Sequence, residues 1–146
     1  MSAVRFENVR FSYPSGVEAL RGVSFEVPTG QRLAIVGQNG AGKTTLVRHL
    51  NGIFQPTSGS VYVADAATTG RAIAELAASV GYVFQNPDEQ IFASTVIADV
   101  EFGPRNLGCS ADEARSRAMA ALETVGLAAE ADTHPLHLSL SERKRV

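Results

Sequence analysis

A single cysteine, Cys109, stands among 146 residues, so the chain can form no internal disulfide, which fits a reducing compartment. The three histidines, His49, His134 and His137, have no ligand-like spacing with Cys109, which argues against a metal site of the zinc type. No run of Lys or Arg stands out and the net charge is -2. Nucleic acid is therefore not expected as a partner, because binding to a phosphate backbone leaves a basic footprint. No stretch reaches the roughly 18 apolar residues that a membrane-crossing helix requires. The first ten residues alternate charged and apolar types and hold no apolar signal core. Work at a membrane would thus require docking on a partner embedded in it. Internal repeats, low-complexity linkers and heptads are also missing. What remains is ordinary for a globular chain, with 45% hydrophobic and 19% charged residues and enough length for one domain with a core.

Alternation in residues 3–9, with Val4, Phe6 and Asn8 on one face, predicts a strand with one wet side. A turn at Tyr13-Pro14-Ser15-Gly16 and a second alternating run at 20–27 predict a small antiparallel sheet. Arg32 to Val36 is a short apolar run, the pattern of a strand covered on both faces. Leu46, Val47, Leu50 and Ile53 then recur at helical spacing, with Gly52 near the end. Residues 60–64 and 80–84 read as further strands, and Arg71 to Ser79 as a helix. Beyond Gln85 the character turns helical. Ser94-Thr95 heads one helix, and Ser110 with Glu113 makes a capping box for another over about 111–125. Ala114, Ala118, Ala121, Leu122 and Val125 form its apolar stripe and Gly126 its stop. Glu101, Asp99 and the charges of 111–117 read as solvated helix faces.

Between the run ending at Val36 and the helix lies Gly37-Gln38-Asn39-Gly40-Ala41-Gly42-Lys43-Thr44, which fits G-x-x-x-x-G-K-[ST] at every fixed position. Glycines let the backbone bend tightly and turn several N–H groups toward one point, an anion nest. The helix starting near Lys43 aims its positive end at the same point. Lys43 adds a full charge for the β- and γ-phosphates, and the Thr44 hydroxyl is suited to Mg²⁺. MgATP is the expected ligand, since the guanine-reading Asn-Lys-x-Asp motif is absent. Tyr13 is an aromatic available to stack on adenine, but spacing alone does not place it.

Several segments together resemble an ATP-binding cassette (ABC) ATPase, the motor subunit of membrane transporters. Tyr13 in FSYPSG resembles the aromatic that stacks on adenine, and GQNGAGKTT, through Thr45, the phosphate loop. Gln85 in GYVFQNP resembles the glutamine that touches Mg²⁺ and the attacking water. LSLSERKRV resembles the signature segment, in which Ser139 reaches the γ-phosphate held by a second subunit. The stretch 83–108, VFQNPDEQIFASTVIADVEFGPRNLG, is similar to the ATPases of energy-coupling factor importers for cobalt, nickel or vitamins. Taken alone, Tyr13 would be a turn aromatic and Gln85 a polar residue at a strand end.

The resemblance implies an α/β P-loop NTPase fold, incomplete in this chain. It divides the domain into a nucleotide-binding core with an antiparallel β subdomain over 1–85 and a helical subdomain over 86–146. It implies catalytic roles for Lys43 and Gln85, Mg²⁺ held by Thr44 and Gln85, and ATP held by Tyr13, residues 37–45 and, in trans, Ser139. It also implies a second cassette paired head to tail, a transmembrane coupling protein, a substrate-binding membrane protein, and a place on the cytoplasmic face of the membrane. Two departures bear on this. Leu140 and Ser141 stand where the family has glycines, and Leu140 adds bulk where the backbone approaches phosphate. The chain also ends at Val146, ahead of the family's Asp-Glu strand and later histidine, as expected of a fragment of a longer ATPase. Such a chain alone is expected to be poorly stable and to hydrolyse ATP negligibly. The competing function is a cassette that binds ATP without hydrolysing it. A soluble cassette acting on chromosomes or ribosomes is opposed by the importer-like segment.

Overall fold

The first two alternating runs do pair. In the computed structural model, which describes residues 1–146, β1 (Ser2–Ser12) and β2 (Glu18–Pro28) form an antiparallel hairpin, and β1 also pairs with β3 (Ser58–Val63). The short β4 (Ala66–Ala67) completes a sheet of order β2-β1-β3-β4. Phe6 lies opposite Phe25 on one side and Val61 on the other, and the two phenyl rings stack at 4.7 Å. Phe6, Val9, Phe11, Leu20, Leu46 and Val61 form a buried cluster, each contributing roughly 1.5–3 kcal/mol by leaving water.

Asn8 does not share the face of Phe6. It is exposed with φ 46°, and the register of β1 shifts between Phe6 and Val9 against β2. One extra residue in the strand reverses the alternation, so Val9 and Phe11 follow Phe6 into the core. Two glycines with positive φ accommodate the bulge. A Cβ on Gly22 would stand 2.9 Å from Asn8 Oδ1, and one on Gly59 would meet the backbone oxygens of Glu7 and Asn8 at 2.4 Å.

Arg32 to Val36 is not a strand. Leu33, Ile35 and Val36 are exposed, because no strand of this sheet flanks the run to take its hydrogen bonds or cover its faces. Leu33 and Ile35 instead border an apolar groove of about 240 Å³ with Val4, Phe6, Phe25 and Leu46. Residues 80–84 are not in a strand either; the chain passes there from one compact unit, Met1–Tyr82, to a second, Val83–Val146. The helix after the glycine loop, α1 (Lys43–Val47), is shorter than its apolar spacing predicts. Its hydrogen bonds tighten to the third residue back at His49 and Leu50, and Ile53 is exposed. A second short helix, α2 (Ile73–Ala77), buries Leu76.

The second unit is helical. Thr95 Oγ1 accepts from the Ala98 N–H at 3.3 Å to start α3 (Val96–Asn106), and Ser110 Oγ does the same for Glu113 at the head of α4 (Ala111–Thr124). The first amides of α3 are satisfied from afar: Val96 N–H donates to Thr133 O and Ile97 N–H to Ala131 O. Ala114, Ala118 and Leu122 are buried as expected, whereas Ala121 is exposed. Glu101 and Asp99 are not solvated face residues. Glu101 is 4% exposed and accepts from Arg105 at 2.5 Å and Arg115 at 3.3 Å, so α3 and α4 are joined by a carboxylate that two guanidiniums neutralise. The Asp99 carboxylate accepts the Phe92 and Ala93 amides.

Two outcomes are expected of the N-terminal unit. Gly59→Ala should lower stability by about 3 kcal/mol or more, since backbone rather than a flexible side chain blocks the methyl group; a denaturant midpoint within error of wild type would contradict the bulge geometry. The second concerns His49, which is fully buried with its ring held below the usual value of 6.5 by desolvation, against opposing hydrogen bonds to the Thr45 and Leu46 backbone. Above that value the ring is neutral both folded and unfolded. Below it the unfolded chain binds a proton that the folded core resists, so stability must fall as pH drops through about 6.5. Thermal melts should show that decline, and His49→Phe should flatten it.

Candidate nucleotide site

The glycine loop owes its shape to two residues that only glycine fits well. Gly40 and Gly42 have φ of 83° and 86°, and a Cβ on Gly42 would stand 2.8 Å from the Ala19 carbonyl oxygen. Ala41 N–H donates to Gln38 O at 3.2 Å and turns the chain. Lys43 Nζ then folds back and donates to the carbonyls of Gly37 and Gln38, both at 2.7 Å. The ammonium group thereby sits at the mouth of the loop, bound to groups that a phosphate would replace as acceptors. At the head of α1, Gly42 supplies no side-chain cap and the first turn carries no acidic residue. Neither a cap side chain nor a first-turn carboxylate thus competes with an anion for that turn. Gln38, Asn39 and Thr44 are exposed.

Tyr13 is brought to this loop. Its backbone closes a turn, with Tyr13 N–H donating to Val17 O and Gly16 N–H to Tyr13 O. Its hydroxyl and Thr45 Oγ1 share a hydrogen bond of 2.6 Å. The half-buried ring meets Phe11 edge-on at 5.1 Å and Phe54 at 5.7 Å. Behind them His49 meets Phe11 at 5.0 Å, and its Nδ1 pairs with Thr45 O at 2.7 Å. The sequence motifs give Phe11 and Phe54 no role, and they raise His49 only as an improbable metal ligand. Spacing pointed to two of them: His49 lies four residues, about one helical turn, beyond Thr45, and Phe11 lies near the end of β1, two residues before Tyr13.

Gln85 is exposed and belongs to the second unit. It precedes a tight helical turn, Pro87–Glu89, that Asn86 caps through Asp88 N–H at 3.2 Å. In the same unit Ser139 heads α5 (Leu140–Arg143). Its Oγ accepts from Glu142 N–H and donates to Glu142 Oε2 at 2.6 Å, while the same carboxylate accepts the Ser139 amide at 2.8 Å. These bonds hold the exposed Glu142 carboxyl below its usual range. Ser139-x-x-Glu142 is a capping box readable from the sequence and passed over there. Leu140 is exposed. Arg143 pairs with Asp88 at 3.2 Å, so the signature helix and the turn after Gln85 are tied together. No group of three His, Cys, Asp or Glu side chains could hold a metal ion on its own.

Comparison with known proteins places the chain in a family. The family description "ABC transporter" matches residues 20–146. An energy-coupling factor transporter ATP-binding protein, EcfA, of Methanosphaera stadtmanae is 48% identical over 96% of this chain and 51% of its own length. The chain spans about half the length of the curated relatives it matches. Among solved structures, CbiO1 of Clostridium perfringens, described as part of the ABC transporter complex CbiONQ, superposes with a TM-score of 0.85. It is 35% identical over 99% of this chain and 58% of that one. A dimeric ATP-binding cassette in a post-hydrolysis state, bound to ADP and Pi, superposes with a TM-score of 0.82 at 29% identity, over 97% of this chain and 66% of that one. Matched by the family over residues 20–146 and by solved ABC ATPases along nearly its whole length, the chain has the α/β fold of the ABC ATPases and belongs to the ABC transporter family.

Proposed function

We propose that this chain is the nucleotide-binding part of an ATP-binding subunit of an energy-coupling factor importer, which couples ATP binding and hydrolysis to uptake of a metal ion or vitamin. The observation that carries the reading is the placement of Lys43 and Tyr13 at one loop: a cation for the terminal phosphates and an aromatic for the base, tied to the loop helix through Thr45. The similarity to EcfA and CbiO1 supports the importer class.

In this reading the backbone of 37–42 and Thr45 cradle the phosphates while Lys43 exchanges its two carbonyl acceptors for β- and γ-phosphate oxygens. Thr44 and Gln85 would hold Mg²⁺, which neutralises charge developing on the bridging oxygens. Gln85 would also orient the attacking water. Catalysis is then positioning and charge stabilisation rather than covalent chemistry. Ser139 would serve the nucleotide of a second cassette, homologous or identical, paired head to tail. Its hydroxyl proton is engaged by Glu142, so it offers phosphate a donor only after turning from that carboxylate. The remaining partners are a transmembrane coupling protein and a membrane protein that selects the substrate, which places the subunit on the cytoplasmic face of the membrane. A cassette that binds ATP without hydrolysing it has one feature in its favour, the exposed Leu140 at a glycine position. The transporter names of the relatives favour the first reading.

Lys43→Ala should weaken MgATP binding by about 3 kcal/mol, on the order of 100-fold, since it removes a charge-assisted contact to phosphate. A fluorescent-nucleotide titration measures it, and equal affinity in the variant would refute the assignment of the loop.

A further inference from the structure

Four residues close a circuit around the phosphate-loop helix. Thr45 reaches Tyr13 through its hydroxyl and His49 through its carbonyl; His49 stands edge-on to Phe11, and Phe11 edge-on to Tyr13. Phe54 fills the remaining side, meeting Phe11 at 4.9 Å, Tyr13 at 5.7 Å and His49 at 6.0 Å. His49 is the unexpected member. It is wholly buried, and its Nε2 has no hydrogen-bond partner. A plain aromatic would fill the same space without that unpaired nitrogen. What a plain aromatic lacks is a donor for Thr45 O. The backbone leaves that carbonyl unpaired, because the His49 amide turns to Leu46 O instead. The imidazole restores the missing bond with its Nδ1–H, which settles the tautomer.

We propose that His49 is a positioning residue for the nucleotide base: by holding the Thr45 carbonyl and bracing Phe11, it fixes the plane in which Tyr13 meets adenine beside the phosphate loop. The proposal rests on the nucleotide reading above. His49 does not touch the nucleotide; it acts through Thr45 and Phe11. Both of its contacts matter, the hydrogen bond for the height of Tyr13 over α1 and the ring for its tilt. The base should feel their loss more than the phosphates do, since Lys43 and the glycines owe their placement to other bonds.

The test compares Mg²⁺-ATP with Mg²⁺-tripolyphosphate, which lacks base and ribose, by calorimetry on the full chain. His49→Phe keeps a ring and loses the donor; His49→Gln keeps a donor and loses the ring. Each is expected to lower the preference for ATP over tripolyphosphate by roughly five- to tenfold, with the change carried by ATP. An unchanged preference in either folded variant overturns the proposal. So does an equal loss for both ligands, which would mark His49 as a support of the loop alone. Wild-type chain that binds neither ligand would refute the nucleotide reading itself; wild-type chain that binds both equally would remove the base role of Tyr13 and this proposal with it. A measurement on wild type stands independent of the variants' folding. The His49 ring resonances should differ between the ATP-bound and tripolyphosphate-bound chain, and coincident spectra would overturn the proposal.

Discussion

Thr45 uses both of its polar side-chain and main-chain oxygens inside the protein. The hydroxyl holds Tyr13 and the carbonyl holds His49, so a single residue on a five-residue helix anchors the end of β1, the turn that follows it and the aromatic group beneath. A helix this short has little stability of its own. Its place depends on Leu46 in the sheet's core cluster and on these two bonds. The glycine loop ahead of it is exposed from Gly37 to Ala41, and Lys43 closes it through the Gly37 and Gln38 carbonyls. Removing the anchor would free Tyr13 and the turn after β1, while Lys43 keeps its bonds to the Gly37 and Gln38 carbonyls.

The loop itself was legible because its chemistry lies in contiguous residues. A nest of amides, a lysine and a hydroxyl need fixed spacing along the chain, and spacing is what a sequence displays. The hairpin was legible for the same reason, apart from its bulge. Alternation predicts that Asn8 joins Phe6, and only the positive φ at Asn8, Gly22 and Gly59 reveals the reversal. The apolar run at 32–36 shows the opposite limit. Composition marks it as wanting cover on both faces, yet cover comes from neighbours that composition does not supply. Glu101 failed for a related reason. Its burial depends on Arg115, fourteen residues away on another helix, and a lone carboxylate in a helical repeat looks like any solvated one.

The second unit repeats, on a smaller scale, the habit of meeting backbone needs with side chains from a distance. Asp99 takes the amides of 92–93, the segment at 131–133 takes those of α3, and Glu142 closes the box on Ser139. The signature helix has only four residues, so this box and the Arg143–Asp88 pair do much to hold it. That arrangement places a carboxylate beside Ser139, the residue proposed to reach the phosphate of a second cassette.

The groove bordered by Leu33, Ile35 and Phe6 has a consequence for handling the molecule. Water in contact with such a lining is held at a free-energy cost that any apolar solute can relieve. An apolar lining of this kind raises the tendency of the 146-residue chain to adsorb to hydrophobic surfaces during purification.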